Sequence, residues 1–134
     1  MLYEVSSKRT IIDKNGADKV ITENFIVTSC MLFGEAETAV LAMDVTADVV
    51  SVSRSNISDF ANKRSNEDEK IYIVNIERYD DVLEKTAKVV VALFAIDMTS
   101  ATKIANDYVS KAIYDETIVG IKKSKFIDII KYTA

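Results

Sequence analysis

Over residues 2–12 apolar and polar residues take opposite sides, with Tyr3, Val5 and Ile11 on one and Glu4, Lys8 and Thr10 on the other. A period of two predicts a β-strand. Asp13-Lys14-Asn15-Gly16 follows, and Asn-Gly tolerates the positive φ that hairpin turns require. A second strand is predicted over about 19–30, with Phe25, Val27 and Ser29 on one face and Ile26, Thr28 and Cys30 on the other. Phe33, Ala36, Ala39, Val40 and Met43 then recur at steps of three and four, the spacing of one helical face. Gly34 stands where that helix would begin, and Glu35 and Glu37 fall in its first turn, where carboxylates are favourable against the helix dipole. Residues 47–54 return to a strand through Val50 and Val52, and a short turn of helix is expected around Ile57–Phe60.

Residues 62–69 carry no apolar side chain and read as a mobile linker. The order of elements then begins again. A strand runs from Ile71 to Arg78, an irregular hairpin loop from Tyr79 to Lys85, and an apolar strand from Val89 to Ile96. Ala101, Ile104, Ala105, Tyr108, Val109 and Ala112 form an amphipathic helical stripe that Asp97 or Thr99 can cap. Thr117–Ile121 is the last predicted strand, and Phe126–Tyr132 a terminal apolar segment.

The two series match at an offset of 69, which shifts to about 65 in the middle, where Ala36 faces Ala101. Val52 aligns with Ile121, Arg54 with Lys123, Ser55 with Ser124, Ile57 with Phe126, and Asp59 with Asp128, while Tyr3-Glu4-Val5 aligns with Tyr72-Ile73-Val74. Self-similarity at such a period changes the expected architecture. The expectation is an α+β fold made by tandem duplication of a β-β-α-β unit with pseudo-two-fold symmetry. Residues 1–61 form the first copy, 62–69 the polar linker and 70–134 the second copy, in one compact domain overall. A three-stranded sheet with one helix leaves a bare face, which two such units can bury against each other.

The composition narrows the chemistry. An apolar fraction of 49% in 134 residues suffices for a packed interior. No apolar run approaches the roughly 20 residues of a membrane span. The N-terminus MLYEVSSKRT lacks the pattern of a signal peptide, and one cysteine makes no internal disulfide, so a reducing cytoplasm is the expected compartment. A net charge of −4 disfavours tight non-specific binding to nucleic acid. The chain contains no His, and so no Ser-His-Asp or Cys-His catalytic set of its own. The usual imidazole metal ligand is missing too, and with one Cys no Cys-rich zinc site can form. Three glycines leave no Gly-rich phosphate loop. No enzyme, no cofactor and no metal site is expected.

Five features remain to be weighed. The run Val89–Ile96 does not alternate, so both its faces need covering. It reads either as a central strand or, through Val89, Val91, Leu93 and Phe94, as an oligomer interface. Lys122, Lys123 and Lys125, with Arg54 at the matching place of the first copy, form a basic run suited to phosphate or nucleic acid, which Lys8, Arg9, Lys63 and Arg64 could join. Asp59 and Asp128 are equivalent in the repeat and read as turn caps or as a carboxylate pair. The clusters Glu67-Asp68-Glu69, Asp80-Asp81 and Asp115-Glu116 lack the spacing of a calcium loop, and Cys30 reads as a small core residue.

The stretches Asp13-Lys14-Asn15-Gly16, Lys19–Val27 and Glu35-Ala36-Glu37, followed by Val89–Ala92, Ser100–Ile104, Ile118–Ile121 and Lys125–Ile130, resemble a family of small proteins of unknown function from Bacteroidetes and their phages. At Met31-Leu32-Phe33-Gly34 the chain departs from that pattern, where members favour a small polar residue ahead of the helix. The resemblance implies a phage or mobile-element setting and brings no catalytic residues. The expected function is therefore a non-catalytic, phage-related protein-binding or assembly module, self-associating or held by another phage or host protein. It would work in the host cell or on the virion, away from membranes. The alternative is a nucleic-acid or nucleotide-binding, sequestering protein that uses the basic run.

Overall fold

In the computed structural model, which describes residues 2–134, the chain forms β1 (Tyr3–Ile12), β2 (Asp18–Thr28), α1 (Phe33–Met43), β3 (Asp48–Arg54), β4 (Ile57–Phe60), β5 (Lys70–Asp80), β6 (Lys85–Ala95), α2 (Met98–Ser110), β7 (Asp115–Lys123) and β8 (Phe126–Lys131). The fold is mixed α+β. Its two helices and eight strands make two four-stranded sheets, ordered β3-β1-β2-β8 and β4-β6-β5-β7.

Two compact units result, Met1–Ser55 with Phe126–Ala134, and Asn56–Lys125. The polar stretch 62–69 therefore lies inside the second unit and does not divide the chain, in contrast to the expected linker. The reason is the last strand of each series. Ile57–Phe60 is not a turn of helix but the strand β4, which pairs parallel with β6. Phe126–Lys131 is likewise the strand β8, parallel to β2. Each strand joins a sheet whose other three strands come from the opposite half of the sequence. A period analysis sees that Ile57 and Phe60 are apolar but not which strand they will meet.

Registers in the two sheets correspond. Tyr3 stands opposite Val27 and Arg54, and Tyr72 opposite Leu93 and Lys123. The β1–β3 ladder shifts register between Ser6 and Ser7, and the β5–β7 ladder between Asn75 and Ile76. The parallel ladders also match, with Asp128 opposite Phe25 and Asp59 opposite Val91.

Local chemistry accounts for the turns and helix ends. Asp13 accepts from Asn15 N at 2.8 Å and Ala17 N at 3.0 Å, which folds the β1–β2 loop back on itself. Gly16 has φ +78° there, a conformation that costs a residue with Cβ roughly 1 kcal/mol. Gly16→Ala is expected to destabilise the first unit by about 1 kcal/mol in urea denaturation; since nothing lies within 4 Å of the added Cβ, the loss would come from backbone strain alone. α1 starts after Leu32, which has no group to cap with. Glu35 substitutes by accepting from Met31 N at 2.8 Å and Leu32 N at 3.1 Å, and these bonds, the first above all, hold its carboxyl below the usual range. α2 is capped by Asp97, which accepts from Ser100 N at 2.8 Å. It ends at Ser110, so Ala112 lies beyond its stripe.

Alanines set both helix–sheet contacts. Ala36, Ala39 and Val40 pack on Tyr3, Val5, Phe25 and Val27 in the first unit. Ala101 and Ala105 pack on the Tyr72–Ile76 and Val89–Ala95 strands in the second. Small side chains let the helix approach the sheet closely, and each buried aliphatic beneath contributes about 1.5–3 kcal/mol.

The apolar strand β6 lies between β4 and β5, a central position with both faces covered. Val89, Val91, Leu93 and Phe94 are 9%, 1%, 0% and 6% exposed in the single chain. These four side chains need no second chain to cover them and offer no free surface for the oligomer interface expected of them, while Ile96, at the end of the run, is 57% exposed.

Polar bonds hold much of the stretch 62–69. Asn62 exchanges two 2.8 Å bonds with the backbone of Phe94, prolonging the β4–β6 pairing. The Arg64 guanidinium lies 5.0 Å from the centre of the Phe94 ring. Glu69 accepts from Ser65 N, Ser65 Oγ and Asn66 N, and the Ser65 backbone bond first among these holds its carboxyl below the usual range. A stretch without apolar residues is here ordered by polar bonds that composition does not reveal.

Candidate functional site

Even-numbered residues of β5 face α2: Tyr72, Val74 and Ile76 are buried in the core. The next on that face is Arg78. A charge at the end of an apolar face must find a partner, and Arg78 finds it in the residue opposite it on β7, Glu116. Arg78 Nη2 donates to Glu116 Oε2 at 3.4 Å, and the Glu116 side chain is 1% exposed against 33% for Arg78. The guanidinium also lies 4.7 Å from the ring centre of Tyr114, a cation–π geometry. Arg78 Nε is buried and, among the described residues, has no hydrogen-bond partner.

Along α2, Tyr108 donates from its hydroxyl to Asp59 Oδ2 at 2.8 Å. This bond ties the helix to β4. Burial first, then the Asp59 bond, raises the Tyr108 hydroxyl to about 12, so it remains a donor at neutral pH. Lys111 and Asp107 pair at 3.0 Å one turn apart. These groups line an open cleft of ≈ 930 Å³ running from Ala61 and Asn62 along α2 to Tyr114. Beside it Ile113 is 92% exposed and Tyr114 48%. The cleft combines an apolar rim, an aromatic ring and paired charges, a lining suited to recognition.

The carboxylates expected as a matched set do local work. Asp59 Oδ1 accepts from Phe60 N and Asp128 Oδ1 from Ile129 N, each at 2.8 Å. They lie in different units, and neither caps a helix. Among the described residues no three His, Cys, Asp or Glu side chains could together hold a metal ion. Cys30 is 1% exposed in the first unit's core, and burial raises its thiol above the usual range. Among the described residues no helix is long and apolar enough to cross a membrane.

The basic run divides between the units. Arg54 ends β3 in the first, whereas Lys122, Lys123 and Lys125 lie in the second. Arg9 is engaged by Glu23 within the first unit, and Arg64 by Phe94 and the Glu69 carbonyl in the second. The structure brings to Lys123 a residue that the basic run did not include, Lys70.

Arg78, Tyr108, Tyr114 and Glu116 escaped sequence reasoning as a group. One signal was available: Arg78 breaks the apolar face Tyr72-Val74-Ile76, and Arg9, 69 residues earlier, follows Tyr3, Val5 and Ser7 in the same way. No curated protein matches the chain. The family model described as Domain of unknown function (DUF4494) matches residues 1–132, and the chain belongs to that family.

Proposed function

We propose that this protein is a non-catalytic, cytoplasmic protein-binding module of a phage or other mobile element, and that it takes a partner's segment in the cleft beside α2. The cleft itself carries the proposal. Exposed Ile113 and Tyr114 stand next to a guanidinium already fixed on an aromatic ring. Arg and aromatic side chains held in place before binding are the groups that dominate protein interfaces. The phage setting rests on the resemblance carried by Asp13–Gly16, Lys19–Val27 and Glu35–Glu37.

Tandem duplication is part of the same proposal. Shared registers, matching ladder shifts and the alignment of Arg9 with Arg78 support it. The repeating unit is then β-β-α-β followed by one more strand, and that last strand pairs in the sheet of the other copy. Overlaying β1–β3 on β5–β7 should bring α1 onto α2.

The binding reading is tested by photo-crosslinking in the native host. With Ile113 replaced by benzoylphenylalanine, one dominant adduct is expected, and Tyr114→Ser or Arg78→Met should remove it without changing the circular dichroism. The same label at Val45, 83% exposed in the first unit, should not give that adduct. Equal adducts from both positions, or an adduct indifferent to Tyr114→Ser and Arg78→Met, would overturn the proposal. An adduct of twice the chain mass would identify the partner as a second copy, the self-associating form.

A further inference from the structure

Asp80 and Lys85 are the last pair of the β5–β6 ladder, so residues 81–84 form the hairpin tip. Val82 is 91% exposed there and Leu83 64%. A turn does not require them: the matching hairpin of the first half turns on Asp13-Lys14-Asn15-Gly16, with no apolar side chain. Asp80 accepts from Val82 N at 2.9 Å and from Leu83 N at 3.2 Å, which shapes the tip before anything meets it. Two adjacent exposed aliphatics between Asp81 and Glu84 make an acidic, apolar knob.

The cleft beside α2 has the complementary composition. Arg78, Lys103 and Lys111 line it against Asp107 and Glu116. Arg78 pairs with Glu116 and Lys111 with Asp107, which leaves Lys103 with no ion pair among the described residues. Ile113 and Tyr114 supply exposed apolar lining. Neither Val82 nor Leu83 lines the cleft, so the tip does not fill the cleft of its own chain. Tip and cleft nevertheless belong to one unit, Asn56–Lys125, and to one end of its sheet. Tyr79, two residues before the tip, stands opposite Asp115, the residue after Tyr114.

Resting on the binding role of the cleft proposed above, we infer that its occupant is the tip 81–84 of a second copy of this chain, and that two copies exchange tips about a two-fold axis. In that dimer Val82 and Leu83 cover Ile113 and Tyr114, and the carboxylates flanking them meet Lys103. Aliphatic side chains thus leave water on both partners, and the surplus cation of one meets the surplus acid of the other. Because tip and cleft share one end of the sheet, a single two-fold axis closes both contacts at once. A one-way contact would leave a tip and a cleft open and grow into filaments, whereas the reciprocal form ends at two chains.

The test is sedimentation equilibrium of the intact protein across micromolar concentrations, where a reversible dimer is expected. A tip variant, Val82→Ser with Leu83→Ser, and a cleft variant, Ile113→Ser with Tyr114→Ser, should each weaken it at least about tenfold. Lys103→Glu should weaken it about fivefold. All five residues are exposed, so the variants' melting curves should coincide with that of the wild type. The tip variant keeps its cleft and the cleft variant keeps its tip. Mixing them therefore restores one of the two contacts, and the mixture should dimerise more tightly than either variant alone. A wild-type protein that stays monomeric, a tip variant that dimerises like wild type, or a mixture no tighter than its components would overturn the inference. A monomer that still gives a Tyr114-dependent adduct of another mass from position 113 would exclude the second copy and leave the cleft as a site for a different protein. Absence of that adduct as well would remove both readings.

Discussion

Val91→Asp is expected to unfold the second unit. Val91 is 1% exposed in the core beneath Ala101 and Ala105, so the carboxylate would have neither water nor a cation. Burying an unpaired charge costs several kcal/mol, a large part of the 5–15 kcal/mol that holds a typical protein folded. Leu93→Ala gives the graded version. With Leu93 0% exposed in the same core, truncation should cost about 3–5 kcal/mol from lost transfer energy and the residual cavity. Urea denaturation checks both: the midpoint should fall with an unchanged slope for Leu93→Ala, while Val91→Asp should lose its native baseline. A stably folded Val91→Asp protein with altered self-association would show instead that β6 faces a partner.

Alkaline pH should destabilise the second unit through Tyr108. Its hydroxyl pKa is raised to about 12, first by burial and then by the Asp59 bond, against an unfolded value near 10. The folded state thus holds the proton more tightly than the unfolded state. The contribution is fully present below about pH 10 and is lost as pH rises through about 12. Two pH units correspond to about 2.7 kcal/mol at most. Partial exposure of the ring reduces the expectation to about 1–2 kcal/mol. Tyr108→Phe removes both the bond and the titration, so its stability should be lower than wild type at pH 8 and the difference should shrink toward pH 12. Because lysines and other tyrosines titrate in the same window, the measurement is the difference between the two proteins at each pH. A constant difference from pH 8 to 12 would show that the Tyr108 proton plays no part.

The interface expected at Val89, Val91, Leu93 and Phe94 illustrates how a sound pattern can have two meanings. A run without alternation says that both faces of a strand are dry, not what dries them. In this chain the neighbours of β6 are β4 and β5, and β4 follows the first helix rather than the second. The contact that resolves the ambiguity joins Ile57 to Val90, residues far apart in sequence.

What the sequence determined by itself is local. Alternation placed β1 and β2, the step of three and four placed both helices, Asn15-Gly16 marked the first turn, and Asp97 appeared among the caps. Each depends on neighbours within a few residues, where backbone sterics and short-range hydrogen bonds decide. Tertiary structure decided the rest. Which sheet β4 and β8 enter, and so where the two units divide, depends on long-range strand pairing that periodicity does not encode. The polar stretch 62–69 is ordered by bonds to Phe94 and Glu69 rather than left mobile. The candidate cleft depends on Arg78 meeting Glu116 across 38 residues and Tyr108 meeting Asp59 across 49. In each case an ordinary charge or hydroxyl acquires its role from a partner that the folded backbone brings to it.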